Sequence, residues 1–154
     1  MTLTVLVYNE HQLIKHVHTV ISVMFLIVSM WLFYRSIKGY LKNWDYSRLD
    51  KILSYTFIVN LYLQLIFGFL LMISKASVPG PEMAGQDVTI RMASNRFWPI
   101  EHIVLMLFAL FIANLGLIFS NNAKANREKF RKVLVYYAIA IILIVLSLGS
   151  NFFE

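Results

Sequence analysis

Residues 96–119 read RFWPIEHIVLMLFALFIANLGLIF, and this stretch decides the fold. Apart from Arg96, Glu101 and His102 it carries no ionisable side chain, and it has about the 20 residues that a helix needs to cross a bilayer. Three further apolar runs occupy 17–34, 52–73 and 133–148. The chain has 154 residues, is 59% hydrophobic and has a mean hydropathy of +0.68. That is more apolar side chain than one water-soluble core of this size can hide. The expected fold is all-α: a single integral membrane domain over 1–154, built as a bundle of four transmembrane helices in up-down-up-down order. The helices are expected at about 10–35, 52–74, 97–119 and 133–150. Asn9 with Gln12 has the spacing of an N-cap and its reciprocal partner, which would start the first helix near Glu10.

Charge gives the orientation. Of the 14 basic residues, ten fall in the connections 35–51 and 120–132. These are Arg35, Lys38, Lys42, Arg48 and Lys51, then Lys124, Arg127, Lys129, Arg131 and Lys132. The positive-inside rule puts these two connections in the cytoplasm, and both termini with the connection 74–96 on the outer, periplasmic side. The same clustering accounts for the net charge of +6 without nucleic acid, for which no binding module or phosphate-cradling glycine loop is present. The first ten residues lack the basic start of a leader peptide, so the first run is expected to stay as a helix. Pro79, Gly80, Pro81 and Gly85 predict an irregular outer connection, long enough to cap the bundle or meet a partner. Tyr34, Tyr40 and Trp44 on the inner side and Trp98 on the outer fit interfacial aromatic belts.

With no cysteine in the chain, disulfides, thiolate metal sites and haem attachment through Cys-x-x-Cys-His are excluded. No Ser-His-Asp set and no buried carboxylate pair points to hydrolysis or group transfer, so no catalytic residue is assigned.

The informative polar residues lie inside the apolar runs. His11, His18, Ser22 and Ser29 share one face of the first helix, with His16 on nearly the opposite side. Thr56, Asn60, Gln64 and Gly68 form an i, i+4 ladder on the second. His102, Met106, Ala109, Ala113 and Gly116 make a stripe on the third, and Ala140, Ser147 and Asn151 a thinner line on the fourth. Packing explains the small residues, because membrane helices approach closely over Gly, Ala and Ser. Asn60 and Gln64 serve packing or line a pocket. His11 and His16 are expected to be interfacial and solvated.

His18 and His102 stand apart because the topology brings them to one depth. Each lies about one turn below the outer end of its apolar run, and both helices enter from the outer side. Neutral imidazoles in that arrangement are axial ligands for one haem iron, with Met106, Phe97 and the small stripe flanking the ring. The bland alternative makes each an interfacial histidine bonded to a carbonyl or water. Pro99 suits a first helical turn, where amides lack partners, and Glu101 suits the positive end of a helix. Arg96 faces water, a lipid phosphate or a haem propionate.

These residues carry a resemblance. His18, Gln64 with Gly68, and Arg96, Glu101, His102, Met106 and Gly116 resemble the pattern of small four-helix membrane proteins of Bacteroidetes known as cytochrome-b-like. The similarity spans nearly the whole chain, and its specific part is the segment from Arg96 to Gly116. It implies the inner membrane of a bacterium, haem b and electron transfer. Tyr62 stands where those proteins have a histidine, and the chain ends Ser150-Asn151-Phe152-Phe153-Glu154 where they often end Ile-Pro-Trp. The absent histidine leaves His18 and His102 as the axial pair, and Tyr62 either lines the pocket or faces lipid.

The leading expectation is thus a b-type cytochrome-like subunit with one bis-histidine haem near the periplasmic face. Its contacts would be His18, His102, Met106, Gln64 and Arg96, and its partners membrane lipid, other membrane subunits and a quinone. The rival is a non-catalytic accessory subunit of a larger respiratory or transport complex, packing on core subunits and lipid. A third reading is an outer copper site from His11, His18, His102 and Met83 or Met92.

Overall fold

The computed structural model describes residues 2–77 and 87–149, with side chains over 9–74 and 100–148. Four helices account for nearly all of this: α1 (Thr2–Lys42), α2 (Arg48–Ser77), α3 (Asp87–Asn122) and α4 (Asn126–Gly149). Each contains a segment long and apolar enough to cross a membrane, so by length and composition the chain is a multi-pass membrane protein.

The helices outrun the apolar segments that reveal them. Hydropathy marks where hydrocarbon begins, whereas a helix continues for as long as its backbone bonds are made. Asn9 therefore lies inside α1 rather than capping it. Helix α2 runs to Ser77 and α3 starts at Asp87, so the expected irregular connection 74–96 is helical at both of its ends, and residues 78–86 lie outside the described residues. Pro79, Gly80, Pro81 and Gly85 lie outside the described residues. Pro99 and Glu101 sit well within α3, not in a first turn. Glu101 consequently gains nothing from a helix terminus, and Pro99 removes one amide donor from the ladder. Membrane helices tolerate such a loss where a neighbouring group satisfies the carbonyl.

The turn between α1 and α2 is tightly specified. Asn43 takes a left-handed conformation (φ 51°), and the Trp44 amide reaches back to the Gly39 carbonyl at 3.1 Å, the long bond of a Schellman cap. Ser47 then precedes α2, and Asp50 reaches back to it as the acidic half of a capping box does, accepting from both the Ser47 amide (2.9 Å) and the Ser47 hydroxyl (2.6 Å). Arg35 closes the clamp from α1, donating from Nε to Asp50 at 2.7 Å and from Nη2 at 3.1 Å. Asp50 is only 4% exposed. A buried carboxylate held by a forked guanidinium and a cap fixes the two helices in register.

Contacts run α1 with α2, α2 with α3, α3 with α4 and α4 with α1, so α1 and α3 stand across a diagonal. The α1/α2 and α3/α4 pairs are packed more extensively than the two seams joining them. Bonds at both ends define the pairing. His11 near the start of α1 meets Ser74 near the end of α2, and Arg35 near the end of α1 meets Asp50 at the start of α2. His102 likewise meets Ser147 of α4, while Ser120 donates to the Lys129 carbonyl.

The packed core fills the half of the bundle nearest the first and third turns. Phe57 stacks on Tyr137 (4.4 Å, 17°) and tilts against Phe25 (4.9 Å). Tyr137 donates to the Ser54 carbonyl at 3.2 Å, which satisfies the one polar atom of a fully buried ring. Two glycines permit this packing: the Phe130 ring lies on Gly39 of α1, and Tyr136 lies on Gly116 of α3, each closer than a Cβ would allow. Large apolar side chains such as Met30, Trp31, Leu26 and Phe111 cover the outside, the surface expected of a chain solvated by lipid.

Candidate cofactor site between α1 and α3

In the other half of the bundle the helices do not close. A cavity of about 550 Å³ lies there, within the range of about 300–1,000 Å³ in which cofactors and small ligands bind. Every helix contributes to its wall. His18, Ser22, Phe25 and Ser29 come from α1, Leu61 and Gln64 from α2, His102 and Met106 from α3, and Ile141 and Ile144 from α4. The rim includes Leu26 and Met30 of α1 and Val145 and Leu148 of α4, all exposed. The cavity therefore opens sideways along the looser α1/α4 seam, toward lipid.

His102 is held in a defined tautomer. Its Nδ1 lies 3.0 Å from Ser147 Oγ, and that hydroxyl spends its single proton on the Ile144 carbonyl at 2.6 Å. Ser147 can then only accept, so His102 donates from Nδ1. Metal-bound histidines show this pattern, with the far nitrogen donating to a fixed acceptor. His11 and Ser74 repeat it at 2.8 Å, with Ser74 donating to the Leu71 carbonyl at 3.0 Å, but His11 does not line the cavity.

His18 is held differently. Its Nδ1 is buried with no hydrogen-bond partner. Such an atom costs about 1–3 kcal/mol unless something else compensates it, and native proteins keep few of them. The ring lies against Gly68, where a Cβ would stand 3.6 Å from Cε1, an ordinary contact. Gln64 Nε2 donates to Ser22 Oγ at 2.8 Å, and Ser22 donates to the His18 carbonyl at 2.9 Å. This chain of bonds ties α2 to α1 at the depth of the imidazole.

Of the residues singled out in sequence, the structure thus brings His18, His102, Met106 and Gln64 to one cavity. Met106 and Gln64 are each 6% exposed. The Arg96, Phe97 and Trp98 side chains lie outside the described residues, as do Met83 and the Met92 side chain. Asn60 is buried away from the cavity, and Tyr62 is 46% exposed with its hydroxyl 3.4 Å from Asn114 Nδ2, so neither lines the pocket. Ala109, Ala113 and Gly116 do not flank the cavity either; they are packed, Gly116 against α4. His11 is part-buried and bonded to Ser74, while His16 is exposed. Among the described residues no three His, Cys, Asp or Glu side chains converge to hold a metal, and the methionine side chains of the copper reading lie outside those residues.

Sequence reasoning missed the role of Ser147. It was visible as a polar residue on the fourth helix, but nothing in the letters sets the register of α4 against α3. Comparison with protein-family models, with curated proteins and with solved structures finds no match to this chain.

Proposed function

We propose that the chain is a b-type cytochrome-like membrane subunit that holds one haem between His18 and His102 and passes single electrons. The observation that carries this reading is that two imidazoles, on helices facing each other across the bundle diagonal, line one apolar cavity that ordinary side chains do not fill. The donor set fits the group. Both imidazoles line the cavity, the His102 ring is held at Nδ1 by Ser147, and an imidazole nitrogen is an axial haem ligand. Haem, when bound, supplies a one-electron couple; the chain supplies the rest. Ser147 fixes the His102 ring, the Gln64–Ser22 bond holds α1 at His18, and the aliphatic wall from α4 excludes water. The lateral opening gives a flat hydrophobic molecule a way in from the bilayer and favours a lipid-soluble quinone as electron partner.

The proposed setting is a bacterial inner membrane, with an up-down-up-down bundle and both termini periplasmic. The end-to-end bonding of successive helices and the ten bases gathered at the two short turns support it. The cavity, at the opposite end from those turns, then lies near the periplasmic face. The resemblance to the cytochrome-b-like proteins of Bacteroidetes points the same way.

Absorbance of the purified protein, oxidised and reduced, tests the proposal. A Soret band that shifts on reduction and vanishes in both His18→Ala and His102→Ala is expected. A featureless spectrum from haem-supplied cells removes the reading. Haem-free protein that co-purifies with respiratory or transport subunits would instead mark an accessory subunit.

A further inference from the structure

We propose that a groove on the outer face of α2 binds one anionic phospholipid, independently of any cofactor in the bundle. The groove has a volume of about 440 Å³ and is lined by Arg48, Lys51, Ile52, Tyr55, Thr56 and Val59. These positions follow i, i+3, i+4, i+7, i+8 and i+11, so they form one stripe along a single helix face. Along the stripe two cations stand at the head, Ile52 and the Tyr55 phenol follow, and Thr56 and Val59 lie toward the bilayer interior. A phospholipid is charged at the same end, with phosphate outermost, esters beneath and hydrocarbon last.

The bonding state of each head residue favours a ligand. Five of the ten bases on this side are already engaged. Arg35 is paired with Asp50, and Lys38, Arg127, Lys129 and Lys132 stand over Tyr34, Tyr40, Tyr46 and Phe119. Arg48 and Lys51, by contrast, have neither ion pair nor ring partner among the described residues, and both are exposed. Tyr55 accepts from Asn121 Nδ2 at 3.2 Å, which leaves its own hydroxyl proton to donate outward. Guanidinium, ammonium and phenol together offer the donors that a phosphodiester and an ester oxygen accept. Ile52 and Val59, also exposed, offer the hydrocarbon floor for an acyl chain. In a bilayer a groove of this size is filled, and charge selects the occupant.

Native mass spectrometry of the detergent-solubilised protein, titrated separately with phosphatidylglycerol and phosphatidylcholine, tests this. Wild type is expected to retain one phosphatidylglycerol with a preference of about thirtyfold, the combined effect of two cations at a lipid surface. The double variant Arg48→Gln with Lys51→Gln should lose the preference while keeping its helical circular dichroism. Val59→Trp, which fills the groove without changing charge, should weaken retention of both lipids. The control pair Lys124→Gln with Arg131→Gln removes the same charge elsewhere on this side and should leave the preference intact. Equal retention of the two lipids by wild type, or equal loss in the control pair, overturns the proposal.

Discussion

At the scale of single residues, the difference between the two histidines is the most informative feature of the site. His102 has a fixed acceptor in Ser147, whereas the buried Nδ1 of His18 has none. If the pair ligates haem, Ser147 is a positioning residue, and Ser147→Ala should weaken haem affinity about 10–100-fold, the usual effect of losing such a partner. Haem titration followed at the Soret band measures this, and Ser147→Thr should restore most of it, because a hydroxyl is retained. A purely structural serine would lower stability in Ser147→Ala without moving the haem affinity of the folded fraction. Gly68 marks the limit of what crowding decides here. A Cβ at that position would meet His18 at an ordinary 3.6 Å, so Gly68→Ala should leave both fold and spectrum intact.

At the scale of elements, stability is concentrated at the first turn and at the glycine contacts, far from the cavity. Removing Arg35 leaves the buried Asp50 carboxylate without its forked partner, so Arg35→Ala should cost about 2–4 kcal/mol in unfolding followed in detergent. Gly39→Ala should be of similar severity, since the Phe130 ring on it is fully buried and has nowhere to go. Burial pushes the Tyr46 phenol in this turn above its ordinary value, against opposing hydrogen bonds from Ser54 and Ser120. The folded state therefore keeps the proton to higher pH than the unfolded chain. The resulting stability is whole below about pH 10 and is lost as pH rises through the folded value. Tyr46→Phe should flatten this alkaline loss in unfolding curves taken between about pH 8 and 11. Little of this could be read in advance. Hydropathy located the four helices because lipid demands long apolar runs, but it misplaced their ends at Asn9 and Pro99, where the backbone ladder continues into polar sequence. Cavity residues on α1, α2 and α3 were legible as polar atoms in apolar runs. Ser147 and the aliphatic wall of α4 were not, because apolar and weakly polar residues carry no sign of which neighbour they meet.

For the whole molecule, the cavity and the basic turns occupy opposite ends of the bundle, and each makes physical sense only on its own side of the membrane. In the proposed orientation the bases meet the anionic, cytoplasmic leaflet and the histidines lie near the periplasmic face. On the proposed reading, a haem at that depth would exchange electrons with a partner outside or with a quinone in the bilayer, far from donors in the cytoplasm. The absence of cysteine allows this orientation to be tested cleanly, because an introduced thiol is the only one in the chain. Lys124→Cys, in the turn between α3 and α4, should resist a membrane-impermeant maleimide in intact spheroplasts and react once the membrane is broken or inverted. Glu10→Cys, at the other end of α1, should show the reverse. Labelling of Lys124→Cys from outside would turn the molecule over, moving the cavity to the cytoplasmic side and its electron partners with it. The internal arrangement of the helices would be unchanged by that result, because it rests on bonds within the bundle rather than on the membrane around it.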